Sequence, residues 1–433
     1  MKIALIHSHL NDRGGSQRYV LEIANNLKSL GVEVDVFCYE YNDDLCYPEL
    51  TSHLNIQKIY TRKDNEIKIS PKNNFFKKYI KSFSKYKIVK KIINTFGIDY
   101  LYSLYLVNKS SKKVTELIID NKIEYDLLFT HEEPLSVYAA IKYKKIKNTP
   151  IYWFCYDTIE KWFLEWKEDH KSSILRRFLL KNIYFKYDKY IINKFVDKIA
   201  VLDDNMSKRY HKLYGKNPLI RRGGIPETIL DYSKKNKFRE RFNLSDDMVV
   251  IFSLTRFVNY RRVHDIFDMY TKLDVDVQKK LFIYISSPIT DNSYYEWCIE
   301  KYSEVFESKN VQVNLDFPKN DDEMYDMYLS SDLFVFPNEN QTWGHAPLEA
   351  MGCGVTALVS TGCGISEIIK NISSETVFEV SNTVALTNMI EDMVRSKSYE
   401  IISKKQKEYV RNNLTWKKVC EKYVDDFKEI LGN

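Results

Sequence analysis

The chain opens with Lys2-Ile3-Ala4-Leu5-Ile6-His7, a loop through Asp12-Arg13-Gly14-Gly15-Ser16-Gln17-Arg18, then Tyr19-Val20, Ile23-Ala24, Leu27 and Leu30, then Val32-Glu33-Val34-Asp35-Val36-Phe37-Cys38. The first run is short and apolar, as a strand is, and the apolar residues after the glycines recur at helical spacing until Gly31 stops them. The last run alternates with period two, which begins a second strand. Strand, glycine loop, helix, strand is the start of a doubly wound α/β domain.

Outward from there the pattern repeats. Asp126 to Thr130, Pro150 to Cys155 and Lys198 to Leu202 read as further strands, and Gly223-Gly224-Ile225-Pro226 closes the first set. Met248 to Leu254 is apolar except for Ser253, as a parallel strand covered on both faces should be. It restarts the series, with strands expected at Leu281 to Ser286, Val311 to Leu315, Leu333 to Phe336 and Val355 to Ser360, and a last helix after Thr415-Trp416. The expected division is residues 1–225, residues 226–410, and a closing helix in residues 411–433 that packs back on the first domain. A chain of 433 residues at about 150 per domain accommodates two such domains.

Composition narrows the classes. Apolar residues make up 44% and charged residues 29%, which excludes a disordered or collagen-like chain. Net charge is only +6, from 65 basic and 59 acidic residues, so a basic surface has to be local. No run approaches the roughly 18 apolar residues of a membrane-spanning helix, and the N-terminal apolar run is too short for a secretion signal, so a cytoplasmic protein is expected. The seven cysteines are scattered without a C-x-x-C pair, as expected of reduced, buried thiols.

The chemistry concentrates in Phe334-Val335-Phe336-Pro337-Asn338-Glu339-Asn340-Gln341-Thr342-Trp343-Gly344-His345-Ala346-Pro347-Leu348-Glu349-Ala350-Met351-Gly352-Cys353-Gly354. A strand runs into a polar loop, Gly344 permits close backbone approach, and Pro347 suits the first turn of a helix that carries Glu349. Polar groups at the carboxyl end of a parallel strand are where α/β domains bind ligands. The Gly14-Gly15 loop offers backbone amides at a helix N-terminus to a phosphate or sugar hydroxyl, although a tight turn would look the same.

These residues resemble the retaining GT-B glycosyltransferases, in particular glycosyltransferase family 4. The family signature there is Pro-Ser-x-x-Glu-x-Phe-Gly, then a helical Glu followed by Ala-Met and a glycine turn. Pro337, Asn338, Gln341, Trp343, Gly344, Glu349, Ala350, Met351 and Gly354 fall in register with it. Leu254-Thr255-Arg256-Phe257 with Arg261-Arg262 is similar to its Gly-Arg-Leu and Lys-Gly segment. Thr361-Gly362-Cys363-Gly364-Ile365-Ser366-Glu367 is similar to its Gly-Gly-x-x-Glu turn, and Gly14-Gly15-Ser16-Gln17-Arg18 to its Gly-Gly-x-x-Arg. Three positions depart from the pattern: Gln341 stands for Glu, Arg261 for Lys, and Tyr156 for an active-site His.

The resemblance implies two Rossmann-like domains facing across a cleft and transfer of a sugar from a UDP- or GDP-sugar, without a metal or cofactor. Arg256 and Arg261, joined by Arg262, would clamp the diphosphate through charge-assisted hydrogen bonds. Because the leaving phosphate is generally thought to take the acceptor's proton, no pair of enzymic carboxylates is required, unlike glycoside hydrolysis. Glu349 would hold the ribose, Gln341 the donor sugar, and the backbone from Gly344 through His345 and Ala346 to Pro347 the sugar or phosphate. Gly15 would approach the donor, Glu367 would support the turn beside the sugar, and His131 and Tyr156 would serve the acceptor side, His131 with a catalytic role. For His131 a histidine satisfied within its loop, and for Glu367 a helix N-terminal glutamate, remain open alternatives.

The acceptor is expected to be a glycan or lipid-linked saccharide. Between Lys72 and Lys91 eight lysines and no acid alternate with aromatic and aliphatic residues, which suits peripheral contact with the cytoplasmic membrane face or a solvated lysine-rich helix. Trp162, Phe163, Trp166, Arg176, Arg177, Phe178, Leu179, Leu180 and Lys181 make a second aromatic and basic region. Nucleic acid is not expected, since no recognition motif accompanies the lysines. Two other readings stay open: a non-catalytic GT-B protein that binds a sugar nucleotide or glycan, suggested by Tyr156 and Gln341, and a GT-B epimerase, whose acid and base residues find no place here.

Overall fold

The computed structural model describes residues 1–61, 98–131, 135–156, 174–232 and 237–432. Lys72 to Lys91 and the Trp162, Phe163 and Trp166 cluster lie outside these residues. The chain divides into two compact units: Met1–Val201 with Met206–Arg221 and Cys420–Asn433, and Leu202–Asn205 with Arg222–Val419.

The first unit is built on a seven-stranded sheet of β1 (Lys2–Leu10), β2 (Glu33–Tyr41), β3 (Asn55–Thr61), β4 (Leu127–His131), β5 (Ile151–Phe154), β6 (Lys198–Val201) and β7 (Leu219–Ile220). All neighbours are parallel, in the order β3-β2-β1-β4-β5-β6-β7. Strand order therefore reverses at β1, whose Ile3 pairs with Leu127 and His7 with His131. β1 runs past His7 to Leu10, because a strand paired on both sides keeps even polar residues in its ladder: His7 and Ser8 are buried. One face is filled by Ala4, Ile6, Leu128 and Trp153 with residues of the helices Ile98–Asp120 and Leu135–Lys147. The chain's last residues also belong here, with the Tyr423 hydroxyl 3.1 Å from that of Tyr19 and Asp426 accepting from Tyr152 (2.8 Å) and Arg221 (2.7 Å).

The second unit repeats the scheme with β8 (Val249–Leu254), β9 (Leu281–Ser286), β10 (Val311–Asn314), β11 (Leu333–Phe336), β12 (Thr356–Ser360) and β13 (Val377–Phe378), all parallel in the order β10-β9-β8-β11-β12-β13. Order reverses at β8, beside β11. Ile251, Ile283, Leu333 and Val335 pack under the helices His264–Lys272 and Thr383–Ser396. The three strands absent from the sequence reading, β3, β7 and β13, are all sheet edges. A strand with one partner needs no continuous apolar run, and β3 and β7 are only half-buried. All seven cysteines are free and buried.

Candidate functional site

In parallel sheets ligands sit outside the carboxyl ends of the strands where the order reverses. In the second unit that point is the end of β8, Thr255-Arg256, beside the end of β11, Pro337-Asn338. After β8 a short helical turn, Asn259–Arg261, ends on Arg262 in the left-handed region at φ 53°. The turn is tied to the β11 loop by the Glu339 amide, which donates to the Tyr260 carbonyl at 3.0 Å. Asn338, fully buried, fixes Arg261: its amide donates to the Arg261 carbonyl at 2.9 Å and accepts from the guanidinium at 3.0 Å.

The three arginines have different surroundings. Arg262 is neutralised by Asp265 at 2.8 and 2.9 Å and by Glu339 at 3.6 Å, so it drops out of the expected clamp. Among the described residues, neither Arg256 nor Arg261 has a carboxylate within ion-pair distance. Arg256 is exposed and Arg261 half-buried. Burial pushes the Arg261 guanidinium below its ordinary value, and the neighbouring Arg256 charge pushes the same way. Two adjacent cations without a counter-charge, one of them partly desolvated, form a site that favours an anion.

The loop after β11 is laced to the turn after β12. The Gln341 amide donates to the Gly362 carbonyl at 3.1 Å, the Gly364 amide to the Gln341 carbonyl at 2.9 Å, and the Ile365 amide to the Trp343 carbonyl at 3.1 Å. The approach needs glycine: a Cβ on Gly362 would lie 2.3 Å from the Glu339 carbonyl oxygen, and one on Gly364 1.9 Å from that of Thr342. Gly344, at φ 122°, then turns the chain into the helix His345–Cys353. His345 and Ala346 are half-buried at its start, Pro347 is buried, and Glu349, 8% exposed, accepts from the Tyr328 hydroxyl at 3.3 Å. Arg256, Arg261, Gln341, Gly344 to Pro347 and Glu349 are thus all carried by the segments that leave the two central strands.

Glu367 opens the helix Ser366–Ile372 and is held from behind. Arg222 donates to it at 3.0 Å and the Asp204 amide at 3.2 Å, while the Arg222 guanidinium lies 5.5 Å over the Trp343 ring. Burial and the nearby Asp204 side chain raise the Glu367 pKa. Arg222 and Trp343 were given no role by sequence reasoning. The signal lay in Gly223, read above only as a boundary, where a Cβ would lie 2.6 Å from His345 and 2.8 Å from Trp343.

In the first unit the corresponding reversal point carries Gly15 and His131. Gly15 starts the helix Gly15–Ser29, and no atom of the described residues lies within 4 Å of a Cβ built on it. His131 is 0% exposed, its ring stacked on Phe154 at 4.8 Å and 7°. His7 Nδ1 donates to the His131 carbonyl at 3.1 Å, and the Tyr156 hydroxyl lies 3.3 Å from His131 Nε2. Burial pushes His7 down to about 4 and His131 well below its ordinary value, His7 adding to the latter effect. His131 is therefore a neutral imidazole inside the fold rather than at its edge. Of the two residues expected on the acceptor side, only Tyr156 is part-exposed.

A cavity of about 430 Å³ lies elsewhere in the second unit, between the helices Lys237–Arg241 and Asp321–Leu329, and contains none of these residues. Among the described residues, no three His, Cys, Asp or Glu side chains group so as to hold a metal ion. No described helix is long and apolar enough to cross a membrane.

Comparison with known proteins gives matches along most of the chain. The family described as Glycosyltransferase Family 4 matches residues 13–221, and the one described as Glycosyl transferases group 1 matches residues 234–413. The N-acetyl-alpha-D-glucosaminyl L-malate synthase of Bacillus anthracis is 19% identical over 238 residues, 54% of this chain and 60% of that protein. The serotype-specific mannosyltransferase WbdA of Escherichia coli is 23% identical over 143 residues, 33% of this chain and 17% of that protein. The chain thus spans less than two thirds of the length of these curated relatives. The crystal structure of Anabaena HepE with UDP and glucose superposes with a TM-score of 0.69 at 11% identity, covering 99% of this chain and 100% of that one. Sucrose-phosphate synthase of Thermosynechococcus elongatus gives 0.69 at 15%, covering 100% and 99%. With the two family matches following one another along two parallel sheets, the chain belongs to glycosyltransferase family 4 and has the GT-B fold.

Proposed function

We propose that the protein is a retaining, metal-independent glycosyltransferase that moves a sugar from a UDP- or GDP-sugar to a glycan or lipid-linked saccharide, on the cytoplasmic side of the membrane. The observation that carries this reading is the pair Arg256 and Arg261 at the end of β8, two cations without a carboxylate partner among the described residues. Departure of a nucleoside diphosphate leaves negative charge on the diphosphate, and preorganised donors around that charge lower the barrier. Arg261, held by buried Asn338, is such a donor, and Arg256 adds charge from the open side. Glu349 takes the ribose, Gln341 the sugar hydroxyls through its amide, and the Gly344 to Pro347 turn brings backbone to the sugar or phosphate. Glu367 supports that turn from behind rather than reaching the sugar itself. That the HepE structure holds UDP and glucose supports putting UDP-sugars first among the donors.

The test is a donor screen. Purified protein is mixed with UDP-, GDP-, ADP- and dTDP-sugars, and nucleoside diphosphate release is followed with and without a membrane lipid extract and with EDTA. Release from one donor, raised by the extract and indifferent to EDTA, is expected. Saturable donor binding without release under any condition favours the second reading, a non-catalytic donor- or glycan-binding protein. Burial of His131 beside Tyr156, together with the uncharged Gln341, is the observation that supports it.

A further inference from the structure

The strongest unexplained surface is in the first unit, on the helical segments Ile174–Leu179, Leu180–Tyr184 and Phe185–Phe195. Leu180–Tyr184 is a π-helical turn. Its extra residue appears in the spacing of the buried side chains, Arg176 before it, Leu180 at its first position, and Phe185, Asp188 and Ile192 after it. Leu180 and Phe185, five apart, form one small cluster with Leu104 of the helix Ile98–Asp120. Such an insertion keeps the inner faces of both segments in place and widens the outer face.

That outer face is apolar and cationic. Leu175 (41% exposed), Phe178 (57%), Ile183 (51%), Tyr187 (58%) and Tyr190 (57%) stand in solvent. Exposed large apolar residues concentrated along one element signal an interaction site rather than ordinary surface scatter. Arg177, Lys181, Lys186 and Lys194 are exposed among them. Lys194 lies against Tyr190, with its ammonium 3.1 Å from the hydroxyl. From Leu175 to Lys194 there is no exposed carboxylate: the single acid, Asp188, is buried and accepts from Tyr138 at 3.1 Å and Tyr214 at 2.7 Å.

We infer that this face, Leu175 to Lys194, lies on an anionic phospholipid surface. Rings and aliphatic side chains enter the boundary between headgroups and acyl chains, tyrosine hydroxyls stay at headgroup level, and Lys181, Lys186 and Lys194 meet lipid phosphates. A second copy of this chain fits less well, because it would set the exposed lysines 181, 186 and 194 against the same lysines. The inference deepens the reading above by giving a lipid-linked acceptor a surface on which to be met, and its test needs neither donor nor acceptor.

The full chain is sedimented with vesicles of phosphatidylglycerol and phosphatidylcholine in equal parts, and with phosphatidylcholine alone, at low and high salt. Two variants are compared with wild type: Phe178→Ser with Tyr187→Ser, and Lys181→Glu with Lys186→Glu. Wild type should bind the mixed vesicles, more weakly at high salt, and each variant should bind them at least about tenfold more weakly. Because all four residues are exposed, each variant should keep a Tm within about 2 °C of wild type. Wild type that ignores the mixed vesicles overturns the inference, as does either variant binding them as wild type does. A wild-type dimer that the variants abolish, with no vesicle binding, assigns the face to a second copy instead. Failure of the transferase reading would leave a positive vesicle result intact.

Discussion

Arg256→Ala is the sharpest perturbation of the proposed anion site. The side chain is exposed and has no carboxylate partner among the described residues, so its removal opens no cavity and strands no buried charge. Stability should move by no more than about 0.5 kcal/mol. Its contribution to a bound diphosphate is one or two charge-assisted hydrogen bonds, about 1.5–3 kcal/mol, which corresponds to a roughly 10- to 150-fold weaker donor Kd. Arg262→Ala is the internal comparison. Its guanidinium is already engaged by Asp265 and Glu339, so its loss should change donor affinity less than about threefold while costing some stability. Calorimetric titration of both variants with the nucleoside diphosphate selected by the donor screen, at low and high salt, reads these quantities. Wild-type affinity in Arg256→Ala, or an equal loss in Arg262→Ala, would rule out Arg256 as a diphosphate ligand.

Three further outcomes follow from the geometry. His7 is buried and held neutral, with its pKa lowered to about 4 against 6.5 unfolded, so the unfolded chain binds more protons below pH 6.5. The stability His7 contributes should be constant above that pH and fall by about 3 kcal/mol as pH drops toward 4, beside a loss of the same sign from His131; urea unfolding of His7→Asn across this range should show a shallower slope, and an unchanged slope would clear His7. Gly364→Ala, whose Cβ would lie 1.9 Å from the Thr342 carbonyl oxygen, should lose at least about 3 kcal/mol or fail to fold, whereas Gly15→Ala, with nothing within 4 Å, should keep its Tm and lower donor turnover. Arg222→Ala should raise the donor KM by about tenfold through slackening of Glu367 and the Trp343 loop, with partial recovery in Arg222→Lys; a lowered Tm with an unchanged KM would make the Arg222 contacts structural only.

Much of this was legible in order along the chain. Short apolar runs separated by helical periods specified both parallel sheets, because a strand covered on two faces must be apolar throughout. The central strands β1, β4, β8 and β11 appear in the sequence within a few residues of their observed ends, and Gly344 marks a close backbone approach there, whereas Gly362 and Gly364 show in the sequence only as a turn and their tight contacts come from the fold. Edge strands β3, β7 and β13 were not legible, since one partner and one covered face leave no such signature.

Residue types at the strand ends are legible in the sequence: arginines after β8, a polar glycine loop after β11, a glycine turn after β12. Which of those charges is engaged by a carboxylate depends on the packed fold. Arg256, Arg261 and Arg262 are three like cations within seven positions, and spacing cannot say that Asp265 and Glu339 reach the last of them while Asn338 positions the second. Nor can it say that Glu367 is taken by Arg222, 145 residues away, or that the ring of His131 lies flat on Phe154 with no solvent beside it. Charge pairing and burial depend on distances across the fold, and those exist only once strands far apart in the chain lie side by side.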